Sequence, residues 1–257
     1  MKKRVIALFI CLFIVCTLLV LNATLFVVND VVVCDWVEQG DLDKQQIADL
    51  SGVKGRNIFT VSEKIAKDNI EKAIPEIKVV NVERSFPSSV KITVLKRVPI
   101  IAVKCSDGYA IIDREANVIK KSSTPDGYDY QLTIFEGVDI TNVLAGERLS
   151  LDDTQYARLI QIITTFETTG EGGYRDANFC KTVSKIKFVG DYVYINMAEG
   201  MTLRLDASID CTNKVRSLIS FFNNGTIDGT PIDRTQGTYT TGEKGSNGGY
   251  QILKVIE

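Results

Sequence analysis

The chain has 257 residues, with 30 Lys and Arg against 32 Asp and Glu, for a formal net charge of -2. That balance gives no electrostatic ground for binding nucleic acid. Histidine is absent, which excludes Ser-His-Asp and Cys-His nucleophiles and removes the commonest transition-metal ligand.

Met1-Lys2-Lys3-Arg4 is a basic start, and residues 5–28 follow without a charged side chain. A helix needs about twenty apolar residues to cross a hydrocarbon core of ~30 Å, so this run is expected to span a membrane with some tilt. Asp30, Asp35, Glu38 and Asp41 lie just beyond it. The positive-inside rule then places residues 1–4 in the cytoplasm and the bulk of the chain outside. A cleaved signal peptide would carry a shorter apolar region, roughly 7–15 residues, and a small-x-small site. Leu21 two places before Ala23 does not supply that site, so an anchor is favoured. Asn22, near the outer end, is expected at the interface rather than against a partner helix. Cys11 and Cys16 fall in the span. Cys34, Cys105, Cys180 and Cys211 fall where disulfides are permitted, but their long, irregular spacings leave free thiols and a disulfide framework both open. No C-x-x-C suggests zinc, and no metal or cofactor site is expected.

Residues 31–37, rich in β-branched and aromatic side chains, are a strand candidate, and Gly40 breaks the chain after them. Asp43 is placed to cap a short helix, with Gln46 at the reciprocal position and Ile47 and Leu50 on one face. Gly52 and Gly55 end it in a turn. A second helix is expected from near Thr60, with Glu63 three places on, carrying Val61, Ile65, Ile70, Ala73 and Ile74 until Pro75 stops it. Residues 77–84 read as a strand and residues 85–89, with Phe86-Pro87, as a turn. The alternation of Val90, Ile92 and Val94 reads as the returning strand. The order is β-α-α-β-β, a three-stranded sheet with two helices on one face.

Ile47-x-x-Leu50-Ser51-Gly52-Val53-x-Gly55-x-Asn57-Ile58-Phe59 is followed by Ile74-Pro75-x-Ile77-x-x-Val80-x-Val82-x-Arg84-x-Phe86-Pro87, then by Val90-x-Ile92-x-Val94-x-x-Arg97-x-Pro99. This ordered set, directly after a membrane anchor, resembles an FtsQ-type POTRA domain. The glycines would bend the connection between the helices, Phe59 would plug the core, and Pro87 would shape the hairpin. Lys96 departs from the resemblance, because relatives usually carry Glu before the Arg.

Residues 109–113, a turn, and Val118-Ile119 read as a hairpin similar to the family's entry into its β-domain. Glu136-Gly137 and Ala145-Gly146-Glu147-x-Leu149 resemble the next landmarks, with Thr133 where a proline is common. Ser150 and Asp153 are placed as a capping box for a helix bearing Tyr156, Leu159, Ile160, Ile163 and Phe166. Residues 185–188 and 192–197 flank a Gly190-Asp191 turn, and residues 202–205 extend that hairpin. A further helix carries Val215, Leu218, Ile219 and Phe222. Ile232-Asp233-x-x-x-Gly237 resembles the family's closing strand. Residues 237–249, rich in Gly, Thr and Ser, are expected as a mobile loop, and residues 250–256 could return as a last strand.

The fold class expected is therefore α+β. A cytoplasmic tail (1–4) and transmembrane helix (5–28) precede a βααββ POTRA domain (29–100). A mixed, β-rich domain with flanking helices (101–236) follows, then a Gly/Ser/Thr-rich segment (237–257). Nothing marks catalysis. Gly237-x-x-x-x-Gly242 lacks the phosphate-loop Lys, since Glu243 stands in its place. Asp152-Asp153, and Asp139 near Glu136, read as solvated charges. Ser62 has Ile65 three places on, so no S-x-x-K begins there. Asn224-Gly225-Thr226 reads as a plain turn.

The resemblance to the FtsQ/DivIB cell-division family implies a non-enzymatic divisome scaffold in the cytoplasmic membrane. It further implies FtsL and FtsB/DivIC-type partners and, through them, septal peptidoglycan synthases. Sheet edges are the physical candidates for docking. The resemblance points to Ile232, Asp233, Arg234, Gln236, Gly237 and Tyr239. The motif residues it marks are Gly52, Gly55, Asn57, Phe59, Pro75, Arg84, Pro87, Arg97 and Pro99. An anchored receptor for a small ligand or peptide is the alternative, and a membrane-tethered hydrolase a third reading.

Overall fold

The computed structural model describes residues 2–36, 42–140, 142–168, 178–206, 211–227, 230–244 and 250–255. The chain divides into two compact units, Met1–Arg97 and Val98–Glu257.

The first unit begins with α1, Lys2–Leu25, a continuous helix of 24 residues. The side chains of residues 2–5, 7, 8, 21 and 23 lie outside the described set. Among the described residues no helix is long and apolar enough to cross a membrane, so the structure by itself does not carry the spanning expectation. Beyond α1 the chain runs against residues 55–58. Ile58 N–H donates to Phe26 O, Val28 N–H to Arg56 O, and Gly55 N–H to Val28 O, each at 2.8 Å. Strand β1, Asp30–Asp35, follows. Val37 and Gly40, part of the sequence reading there, lie outside the described residues.

Helix α2, Lys44–Leu50, is capped as expected by Asp43, whose carboxylate accepts the Gln46 N–H at 3.0 Å. The turn after it needs positive φ, met by Gly52 at 65° and Gly55 at 79°. The second long helix does not start near Thr60. Asn57 caps a single 3₁₀ turn, Ile58–Thr60, and Ser62 then caps α3, Glu63–Ala73. This later start turns the helix so that Ala66 and Ile70 are buried while Ile65 is exposed. Ile58 fills the core and Phe59 does not, because consecutive residues of the short turn point in different directions. Phe59 is 52% exposed.

Strands β2, Ile77–Ser85, and β3, Ser89–Lys96, form the hairpin, and β1 joins β3 in parallel to give the order β1-β3-β2. Val79, Val82, Val90, Ile92 and Val94 turn one sheet face onto Ile47, Ile58 and Ile70. That single buried face is the reason for the polar-apolar alternation in β3.

The second unit holds β4 (Ile101–Cys105), β5 (Gly108–Ile112), β6 (Val118–Ser122), β7 (Thr133–Glu136), α4 (Asp153–Thr168) and α5 (Asn178–Thr182). It continues through β8 (Val183–Val189), β9 (Tyr192–Met197), β10 (Thr202–Asp206) and α6 (Cys211–Asn224). A two-stranded pair, β11 (Thr226–Ile227) with β12 (Thr230–Pro231), precedes β13 (Thr238–Lys244) and β14 (Tyr250–Lys254). Among the described residues nine strands form one mixed sheet in the order β14-β13-β10-β9-β8-β7-β4-β5-β6. Its apolar side chains, including Phe135, Ile186, Ile195 and Leu203, share a core with Leu159, Ile162 and Phe166 of α4 and Val215 and Leu218 of α6.

Three expectations change here. The carboxylate of Asp152, not Ser150, accepts the Gln155 N–H at 2.8 Å and caps α4. Residues 238–244, expected in a mobile loop, form β13 between two neighbours, and residues 245–249 lie outside the described set. Residues 232–237, expected as a closing strand, form a turn instead. Thr133, which departs from the resemblance where a proline is common, is buried. Its N–H donates to Ile100 O at 3.1 Å and its hydroxyl to Val183 O at 2.6 Å, and a proline could make neither bond.

Candidate partner-docking edge

The six residues marked for partner docking are brought together, but in different environments. Asp233 organises the turn. Its carboxylate accepts the Thr235 N–H at 2.9 Å, the Thr235 hydroxyl at 2.6 Å and the Gln236 side-chain amide at 2.7 Å. The side-chain bond from Thr235 leads in holding this carboxyl below its ordinary pKa. Arg234 donates to Asn223 O at the end of α6 and lies 5.1 Å from the Phe222 ring centroid. The turn's backbone is stapled to β10, with Met201 N–H on Arg234 O and Thr202 N–H on Gly237 O, both at 2.9 Å. Gly237 has φ 91°, a conformation that a side chain would strain.

Tyr239 is different in kind. It is 4% exposed and its ring lies 5.0 Å from that of Phe221, so it belongs to the core. Its strand is internal as well, parallel to β10 on one side and antiparallel to β14 on the other. The Ile232 N–H is used too, on Gly225 O at 3.2 Å. Arg234 and Gln236 present side chains near the surface, while among the described residues the open row of backbone groups lies one strand further out, on β14.

The direction of those groups follows from the register. Val255 N–H donates to Thr238 O at 2.8 Å, and Lys254 stands opposite Tyr239, Leu253 opposite Thr240 and Ile252 opposite Thr241. Hydrogen-bonded and non-hydrogen-bonded pairs alternate across an antiparallel ladder. Val255 and Leu253 therefore face β13, and the N–H and C=O of Lys254 and Ile252 face outward. Leu253 is 46% exposed.

The opposite edge is guarded. Val118 N–H donates to Glu147 O and Gly146 N–H to Val118 O, both at 2.8 Å, so residues 146–147 cover the start of β6. Exposed Lys120 and Lys121 follow. Charge and cover of this kind discourage strand addition. Within the sheet, Glu136 meets Lys185 at 2.7 Å and Lys104 at 3.8 Å. The hydrogen bond from Lys185 is the main reason its pKa lies below the ordinary glutamate value, with burial opposing. Tyr130 donates to Pro99 O at 2.7 Å, and burial pushes its phenol up to about 12. The Cys180 thiol is buried and donates to Ile100 O at 2.9 Å, and Cys34 and Cys105 form no disulfide among the described residues.

In the first unit the motif residues hold the fold. Arg84 donates to Val61 O at 2.7 Å. Arg97, 6% exposed, donates to Ile77 O at 3.2 Å and to the Glu71 carboxylate at 2.9 Å, and Glu71 also accepts the Val79 N–H. Pro75 follows the last turn of α3, and Phe86–Pro87 is a cis bond in the hairpin turn. Asn57 accepts the Phe59 N–H and donates to the Asn22 side chain at 2.7 Å, a contact that the sequence did not foreshadow.

Residues 39–97 match the family model of the POTRA domain, FtsQ-type. This segment is an FtsQ-type POTRA domain. The chain is also similar to the cell division protein FtsQ of Corynebacterium glutamicum, 35% identical over 86 residues, which is 33% of this chain and 38% of that protein. Both findings support the FtsQ/DivIB family. They rest chiefly on the POTRA domain, and the matched stretch spans well under half of the relative. In POTRA terms, Arg97 closes the domain by joining the end of β3 to α3 and β2.

Proposed function

We propose that the protein is a non-enzymatic scaffold of bacterial cell division. α1 holds it in the cytoplasmic membrane as a single pass, with residues 1–4 in the cytoplasm and the chain beyond α1 outside. It binds FtsL and an FtsB/DivIC-type partner and through them reaches the septal peptidoglycan synthases. The FtsQ-type POTRA domain and the FtsQ relative support the division role. The uncharged run of residues 5–28 behind a basic start supports the anchor.

One observation carries the docking reading. Among the described residues β14 is the sheet edge that no other segment pairs with, and the backbone groups of Ile252 and Lys254 face outward there beside exposed Leu253. An extended segment of the partner would add there as a tenth strand, its main chain supplying affinity and the side chains around Leu253 and Arg234 supplying selectivity. Depletion is expected to block septation, and the full chain is expected to bring FtsB/DivIC-type protein with it from solubilised membranes. Normal septation in depleted cells refutes the division role. Unchanged partner recovery from a chain lacking β14 moves the docking surface elsewhere.

A further inference from the structure

Three aromatic rings line up beside the outer end of α1. Phe26 and Phe59 have centroids 5.0 Å apart, and Phe59 and Phe86 5.4 Å apart. Phe59 and Phe86 are 52% and 58% exposed, so two large rings in contact face away from the POTRA core. They do not hang on a loose linker. The backbone bonds between residues 26–28 and 55–58, and the Asn57 bonds to the Asn22 side chain and carbonyl at 2.7 and 3.3 Å, tie this corner to the last turns of α1.

We infer that Phe26, Phe59 and Phe86 form a lipid-facing wedge that seats the POTRA domain against the outer headgroup layer of the membrane. The inference rests on the reading of α1 as a membrane span. Residues 5–25 as helix measure about 31 Å, close to the ~30 Å hydrocarbon core, which puts Asn22 and Phe26 at its outer boundary. A bilayer surrounds its anchor on every side, so an apolar patch fixed beside that boundary meets lipid before it meets any other partner. Exposed Lys54 and Arg56, on the loop bonded to residues 26–28, supply cations for anionic headgroups. Aromatic and basic side chains together are the composition that rests at a membrane interface.

The sole tryptophan provides an internal reference. Trp36 follows β1, whose opposite end, Asp30, pairs with Ser89 beside the Phe86 turn. Six residues of strand put Trp36 roughly 20 Å from that end. The full chain is reconstituted in phosphatidylethanolamine–phosphatidylglycerol vesicles carrying phospholipid brominated near the headgroup. Two variants in a Trp36→Phe background, Phe59→Trp and Phe86→Trp, are compared with the unaltered chain, and alkaline extraction scores integration. Expected is a blue-shifted, bromine-quenched emission from both introduced indoles, with Trp36 unquenched. An integrated chain whose introduced indoles emit as in water and escape quenching overturns the wedge and leaves the anchor standing. Indoles unquenched by lipid but shielded on adding a partner ectodomain overturn it in favour of a protein surface. Extraction of the chain by alkali overturns the anchor, and the wedge with it.

Discussion

Lys254→Pro separates backbone pairing at the edge of β14 from everything else that strand does. Val255 and Leu253 bond inward to β13, so the Lys254 N–H points away from the sheet and its loss breaks no ladder bond. Proline is tolerated at such an edge position, and a stability change within about 1 kcal/mol is expected. An added strand would lose one N–H···O bond and keep a carbonyl without a donor, a cost of about 1–3 kcal/mol. At 1.4 kcal/mol per factor of ten, affinity for an FtsB/DivIC-type ectodomain should fall roughly 5- to 150-fold. Lys254→Ala removes the charge and keeps the donor, so it should bind within about threefold of the unaltered chain if the backbone dominates. Leu253→Pro, which breaks an inward bond, should destabilise the fold. Titration calorimetry on the full chain in detergent, with urea unfolding alongside, reads all three. Equal affinity for Lys254→Pro and the unaltered chain refutes strand addition at β14, and equal destabilisation by Lys254→Pro and Leu253→Pro refutes the register.

Glu71→Ala removes the carboxylate partner of the buried Arg97 guanidinium and the acceptor of the Val79 N–H, and should lower POTRA stability by about 3 kcal/mol in urea unfolding. A loss under about 1 kcal/mol would show that Arg97 is held by its other bonds. Tyr239→Ala should cost about 3–5 kcal/mol, because the side chain is core rather than contact surface. Partner affinity of the fraction still folded should be unchanged; a specific affinity loss with normal stability contradicts its burial. Glu136 has a lowered pKa, so its contribution is present above the ordinary glutamate value of about 4.3 and is lost as pH falls through the lowered one. The difference in urea midpoint between the unaltered chain and Glu136→Gln should therefore be widest near neutral pH and shrink in acid. A constant gap from about pH 7 to about pH 3 would dismiss the Lys185 pairing as its source.

Local rules were readable wherever one residue acts on its near neighbours. The Asp43 cap, the Gly52–Gly55 turn, the β2–β3 hairpin, the β8–β9 hairpin and the apolar stripes of α4 and α6 all follow from spacing of a few residues. They held because each is decided within one or two turns of chain. Failures cluster where two local solutions compete. Asn57 and Ser62 each cap a short helix, so α3 begins late and turns Ile65 and Phe59 outward. Asp152 wins the α4 cap over Ser150 by lying next to the first helical residue. Residues 238–244 look like loop by composition, yet β10 and β14 supply partners on both sides, and paired neighbours outweigh weak strand propensity.

The sequence by itself determined the uncharged N-terminal run, the β-α-α-β-β order, the absence of histidine chemistry and the kinship of residues 39–97, since all of these are written in residue identity and short-range spacing. Only the tertiary structure decided that, among the described residues, β14 rather than residues 232–237 forms the sheet edge, that Tyr239 is core, and that three phenylalanines from separated stretches of chain meet beside α1. Strand order and side-chain exposure depend on which distant segments come to lie side by side, and no local pattern encodes that.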